Sequence, residues 1–398
     1  MKNCILTPTF IGHFCFLDKY LKSFQLNVED KDNCVIYFII NKKENSELKK
    51  ITKKYKNIDI QILFFEDILK KFNIDYSPEE LLDKYGKLSF QAMKKFYGML
   101  FLEEYQRFLV LDTESMWINK TNMTNCFNDF FNKRPFILYS NVRERLKVSK
   151  SNAQASKNIN YILSSNCDKW FVEQYIRFWD VNILKDIFRE YGACFEIVDK
   201  IYNSEIYSSV KIGLFESVLY DQYIYENNSK YNYNLIDVNA ECRKYLEEDT
   251  LNRYYNQFFN IWQGSCGILE SMSIILNKDN YAGFGKLYKE NNLNIIRVEE
   301  TNIENYKFQK QFLEIVKPNI LTCSQKHCFG INNNILNIIK INKEYIKLEK
   351  HILRFLAPLK MGFNWMFEPI SIFWHAVLFL LNIPKIINLY LQSRETND

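Results

Sequence analysis

Asp112 and Glu114, one residue apart, follow the apolar run Phe108-Leu109-Val110-Leu111. Four apolar residues in succession read as a buried strand, and the C-terminal edge of such strands is where an open α/β sheet binds ligands. Two carboxylates held close repel each other unless a cation shares them. A hard divalent cation fills the rest of its shell with phosphate oxygens or water. The pair therefore predicts a metal-diphosphate site, with a strand end capped by two solvated acids as the plain alternative. Upstream, residues 87–105 place apolar side chains at Phe90, Met93, Tyr97, Leu100 and Leu102, the spacing of an amphipathic helix. Gln91, Lys94, Lys95 and Gly98 then share neighbouring positions of one face, with Lys87 opening the segment. Amide and ammonium donors leading into an acidic strand end suit an anionic nucleotide. A solvated lysine face is the alternative.

These residues resemble the GT-A class of nucleotide-sugar glycosyltransferases, most closely bacterial enzymes that build surface polysaccharide or lipooligosaccharide. The likeness rests on three places. The first is an opening strand ending in a Thr-Pro-Thr-like turn, Ile5-Leu6-Thr7-Pro8-Thr9-Phe10. The second is a Gln-x-x-Lys helix, Gln91 to Lys94, and the third is an Asp-x-Asp-like motif after a strand, Asp112-Thr113-Glu114. Glu114 departs from the family's usual Asp, and its extra methylene shifts any cation it holds. A fainter echo of a Ser-Glu-x-x-x-Tyr-Gly element matches only Glu216 and Tyr220. His327-Cys328-Phe329-Gly330 resembles part of the His-x-x-Gly that supplies a third metal ligand in some retaining members.

The resemblance implies an α/β, GT-A-like and Rossmann-type fold: a mostly parallel sheet flanked by helices, with a C-terminal helical region. It implies a nucleotide-sugar donor, a glycan or lipid-linked glycan acceptor, and Mn²⁺ or Mg²⁺ on Asp112 and Glu114, with His327 as a further candidate ligand. Thr7, Pro8, Thr9, Lys87, Gln91, Lys94, Lys95 and Asp112 would face the donor. An inverting enzyme needs a general base in the second half, for which Glu216, Asp221 and Glu173 are candidates. A retaining enzyme needs none of them in that role.

With 398 residues, 47% of them hydrophobic, the chain is long enough for two to three domains or one large α/β domain with an appendage. A net charge of +5 is too weak a bias for nucleic-acid binding. Ten cysteines without a Cys-x-x-Cys pair predict reduced cytosolic thiols and no zinc module. The N-terminus lacks a long apolar run and reads as a first strand instead of a signal peptide.

Strands are expected at residues 4–7, 34–40, 58–65, 108–111 and 135–139, and helices at 16–24, 47–54, 68–72 and around Gln91. That alternation predicts a parallel sheet covered on both faces. Ser149–Ile159 is polar and reads as a loop. The second half reads as more helical, with helices over Trp170–Trp179, Val181–Tyr191 and Glu216–Tyr225. A donor half over about 1–145 and an acceptor half over about 146–334 would form the catalytic domain. Residues 335–398 combine Lys340, Lys343, Lys347, Lys350 and Arg354 with a Trp- and Phe-rich segment. The uncharged run from Pro369 to Pro384 is short of the ~20 residues a spanning helix needs, so the region reads as an interfacial membrane anchor or as a packed helix pair. His13, soon after the Thr7-Pro8-Thr9 turn, could approach the site. Gly264-Ser265-Cys266-Gly267 reads as a turn. A nucleotidyltransferase is one alternative, though Thr7-Pro8-Thr9 is no Gly-rich phosphate loop; a non-catalytic membrane-surface scaffold is another.

Overall fold

The computed structural model describes residues 2–133, 135–141, 150–171, 178–205, 212–248, 269, 276–298 and 306–323. All of them lie in the first, residues 1–335, of the two units into which the chain divides. The central sheet is built from β1 (Asn3–Pro8), β2 (Cys34–Ile40), β3 (Ile60–Phe64) and β4 (Arg107–Val110), with β8 (Phe178–Asp180) at one edge. Its strand order is β3-β2-β1-β4-β8. The first four strands pair in parallel, and β8 runs antiparallel to β4. β2 is buried at every position but Tyr37, as expected of a strand covered on both faces.

Helices α1 (Phe14–Asn27), α2 (Asn45–Thr52), α3 (Phe65–Lys71) and α4 (Pro78–Phe101) connect these strands. β5 (Ser115–Trp117) follows β4 at once, then α5 (Met123–Asn128), β6 (Phe136–Asn141), α6 (Lys150–Leu163) and β7 (Lys169–Trp170). After β8 come α7 (Val181–Tyr191), α8 (Cys194–Tyr202), α9 (Glu216–Glu226), β9 (Asn234–Asp237), α10 (Val238–Tyr245), α11 (Tyr281–Glu290), β10 (Ile295–Val298), α12 (Tyr306–Val316) and β11 (Ile320–Cys323). Two small sheets result, in the orders β7-β6-β9 and β10-β11-β5.

Two expectations are corrected. Ser149–Ile159 is not a loop: from Lys150 it is helix α6. Ala155, Ile159, Ile162 and Leu163 are buried, and their spacing of three and four supplies an apolar stripe concentrated toward the C-terminal half. Trp170–Trp179 is not one helix, because strands stand at both ends. Trp170 pairs with Ser140, and Phe178–Asp180 pairs with Arg107–Leu109. Ladder pairing and ring burial override the local helical spacing there. The region from residue 335 lies outside the described residues.

The chain leaves β1 toward β2 and β3 on one side, then returns to place β4 on the other. The order therefore reverses between β1 and β4, and the crevice beyond their C-terminal ends is the expected ligand position in such a sheet. Leu6 lies opposite Val110, and the Leu111 amide donates to the Leu6 carbonyl at 2.9 Å. Thr7-Pro8-Thr9 and Asp112 therefore emerge side by side.

Candidate functional site

Helix α4 supplies the cations of this crevice. Ser77 caps its start by accepting from the Glu80 amide, with Pro78 in the first turn. Gly86, at φ +77°, breaks the helical path, a backbone state glycine adopts without a Cβ clash. Beyond the kink, Gly98 sits so near the sheet that a Cβ there would come within 2.2 Å of Ile39 Cδ1. That close seating turns Lys94 and Lys95, about one turn earlier, into the protein, where they are 4% and 6% exposed. The solvated lysine face weighed as the alternative is therefore not what forms at Lys94 and Lys95.

The two lysines differ. Lys95 Nζ forms an ion pair with the Glu216 carboxylate and lies 3.9 Å from Asp112 Oδ1. Lys94 Nζ donates to the Thr9 carbonyl at 3.3 Å. It sits 5.0 Å from the Phe90 ring centroid and 5.6 Å from that of Phe65. No described carboxylate pairs with it. Burial pulls its pKa from 10.5 down to about 8, against the attraction of the more distant Glu44, Glu66 and Glu79.

The two acids of the motif also take different neighbours. The Asp112 side chain is 33% exposed and faces Lys95. Glu114 is buried: its Oε2 accepts from the Thr113 hydroxyl at 3.2 Å, and its Oε1 lies 3.7 Å from His13 Nδ1. Burial, reinforced by Lys87, lowers the His13 pKa from 6.5 to about 4, with Asp112 acting in the opposite direction. Burial thus disfavours the charged imidazole beside the Glu114 carboxylate. Just beyond, the hydroxyls of Ser115 and Thr322 hydrogen-bond at 2.9 Å, tying the motif to β11.

Of the other expected residues, Thr7 is wholly buried and its hydroxyl is hydrogen-bonded to the Tyr20 hydroxyl at 2.8 Å. It supports the strand end. Thr9 Oγ1 is buried without a partner among the described residues. Pro8 ends β1, Gln91 is half-buried on α4, and Lys87 is exposed near His13. Glu216 is brought to the site through Lys95. Asp221, on the same helix, is not: its carboxyl is buried, burial holds its pKa well above the usual carboxylate range, and its electrostatic neighbour is Tyr233. Glu173 and His327 lie outside the described residues.

Sequence reading missed Glu44 and Tyr20. The Glu44 carboxylate accepts from the Ile11 and Asn41 amides at 2.9 and 3.0 Å, pinning the turn after β1 to the end of β2. Asn41-x-x-Glu44 is a helix-start pattern that marks it. Nothing local marks Tyr20, whose role arises only when α1 lies against β1.

Among the described residues no group of three or more His, Cys, Asp or Glu side chains is placed to hold a metal ion. The donor set nevertheless fits a cation shared with a ligand, since Mg²⁺-type sites commonly use one or two carboxylates plus phosphate oxygens and water. Asp112 is the accessible carboxylate, with Glu114 behind it. The crevice thus joins two carboxylates, one of them accessible, two buried ammonium groups, and at the strand end the Thr9 hydroxyl, without a partner among the described residues.

No family model matches the chain, and no curated protein matches it. Among solved structures it is similar to mouse xyloside xylosyltransferase 1 in its apo form, at 10% identity over 67% of this chain and 96% of that one, with a TM-score of 0.37. The apo bifunctional glycosyltransferase WbbM is similar at 10% identity over 88% of this chain and 51% of its own, TM-score 0.38. The glycosyltransferase GlyE of Streptococcus pneumoniae TIGR4 is similar at 10% identity over 92% of this chain and 66% of its own, TM-score 0.37. All three are glycosyltransferases, but superpositions this loose carry no argument about what the chain does, and the functional reading rests on the site itself.

Proposed function

We propose that the chain is a glycosyltransferase that takes a sugar from a nucleotide-sugar donor seated in the crevice between β1 and β4. The observation that carries this reading is the placement of Asp112 and Glu114 at the switch point of the sheet, beside the buried ammonium groups of Lys94 and Lys95. Mn²⁺ or Mg²⁺ shared by Asp112 and Glu114 with the diphosphate would neutralise charge on the departing nucleoside diphosphate. Lys95 adds a second positive charge on the same side, held in place by Glu216. Lys94 and Thr9 face the nucleotide end of the donor, while Thr7, Tyr20 and Glu44 keep the strand ends in position.

Helix α9 offers no ready general base. Glu216 is committed to Lys95, and burial disfavours the charged form of the Asp221 carboxyl. Glu173 stays a proposed base outside the described residues. The acceptor in this reading is a glycan or lipid-linked glycan. Residues 335–398 are proposed to bring the enzyme to the cytoplasmic face of a membrane, which flotation of full-length and truncated protein on anionic liposomes tests. No helix among the described residues is long and apolar enough to cross a membrane.

The deciding experiment is hydrolysis of a nucleotide-sugar panel with Mn²⁺, Mg²⁺ or chelator. Release of nucleoside diphosphate from one donor, lost on chelation, is expected. A folded protein that hydrolyses none of the panel under any condition would overturn the reading.

A further inference from the structure

A second cavity lies beside the two small sheets. Its volume is about 270 Å³, close to the lower end of the roughly 300–1,000 Å³ range of small-molecule sites. It opens where β6, β9, β10 and β11 begin, lined by Phe136, Asn234, Ile295 and Ile320 from the first residues of those strands. Along β11, Thr322 lies opposite Ser115, next to Glu114, whereas Ile320, which lines the cavity, lies opposite Trp117.

The lining chemistry is unlike that of the acidic crevice. Phe130 stacks on Phe178 at 4.8 Å and meets Phe136 edge-on at 5.4 Å, forming an apolar wall. Asn234, Asn292, Asn294 and Asn319 supply carboxamides. The Asn294 amide nitrogen donates to Asn292 Oδ1 at 2.9 Å and that of Asn319 to Cys126 Sγ at 3.1 Å. Among the described residues these bonds leave acceptor oxygens on Asn294 and Asn319, donor hydrogens on Asn292, and both kinds on Asn234. The charged groups at the rim are already engaged. Asp129 pairs with Lys133 at 2.6 Å, and Glu290 accepts from the Tyr245 hydroxyl. No unpaired cation among the lining residues would attract a phosphate.

We propose that this cavity is a binding site for a neutral saccharide of one or two rings. A hydroxyl both donates and accepts, as does a carboxamide, and the face of a sugar ring matches an aromatic wall. The inference rests on the cavity alone and holds whichever reaction the crevice performs.

The test is saturation-transfer NMR with lactose, maltose, cellobiose and chitobiose on the full chain, and parallel titration with a nucleoside diphosphate and Mn²⁺. At least one disaccharide is expected to bind, with affinity falling about tenfold in Asn234→Ala and in Phe136→Ala while nucleotide affinity holds. Asn234→Asp keeps the shape of the side chain and guards against misfolding; loss of its donor hydrogens should also weaken the sugar. Asp112→Asn should leave saccharide binding intact, so failure at the crevice and failure at the cavity are told apart. No binding by any disaccharide, or binding indifferent to all three cavity substitutions, would overturn the proposal.

Discussion

The crevice at β1 and β4 and the cavity beside the two small sheets handle polarity in opposite ways. At the acidic crevice, full charges are buried and held by one another, as in Lys95 with Glu216, or held without a carboxylate partner among the described residues, as Lys94 is by the Thr9 carbonyl. At the amide cavity the lining charges are engaged at the rim, and the remaining polarity is that of neutral carboxamides. Burying a charge is costly unless a partner meets it, whereas a neutral amide tolerates burial with one hydrogen bond. In the proposed reading a charged ligand offsets that cost at the crevice and a neutral one occupies the cavity.

The sharpest way to break the comparison is Asp112→Asn. It removes the exposed ligand charge with little change in shape, and transfer should fall by at least about a thousandfold, about 4 kcal/mol, with the fold intact. Turnover near normal in the folded variant would dissolve the ionic character of the crevice. Next in size is Lys95→Met, which strands Glu216 as a buried carboxylate. Removing one partner of a buried pair costs about 3–5 kcal/mol, so urea unfolding should show a loss near the lower end of that range. Double replacement of Lys95 and Glu216 by Met and Leu should recover much of it. An unchanged midpoint in Lys95→Met would mean that the pair is not held in solution.

The smallest effect has the opposite sign. Lys94 is depressed from 10.5 to about 8, a penalty of up to about 3 kcal/mol at about 1.4 kcal/mol per pH unit. Loss of its ring and carbonyl contacts offsets part of that in Lys94→Met. The variant should therefore be more stable than the parent by about 1–2 kcal/mol near pH 7, while binding nucleoside diphosphate more weakly. Because the folded pKa lies below the unfolded one, the penalty is fully present below pH 8. It fades as the pH rises from 8 to 10.5, so the stability gap should close over that window. A gap that persists at high pH would assign the stabilisation to packing.

The first half of the fold was legible because its strands advertise themselves. Cys34–Ile40 is apolar throughout, and Phe108–Leu111 leads straight into the acids, so position in a doubly covered sheet follows from composition alone. β5, β9, β10 and β11 have three or four residues each, too few for periodicity to declare. Trp170 and Phe178 join strands only through partners far along the chain. At the site, the acids and lysines could be named but not their pairing. Lys94 and Lys95 look alike in sequence, and the difference between them depends on Glu216, 121 residues from Lys95. Glu216 could be singled out beforehand, but as a base and not as the anchor of a lysine.

The Ser115–Thr322 hydroxyl bond spans 207 residues, and that separation is also a delay. At roughly 5–20 residues per second of synthesis, β5 waits about 10–40 s for its partner β11 to be made. The four parallel strands of the central sheet need no such wait, because β1 to β4 are complete within the first 110 residues. The acidic segment is thus among the last parts of the molecule to be fixed in place. A nascent chain already holds its scaffold well before it can hold a ligand.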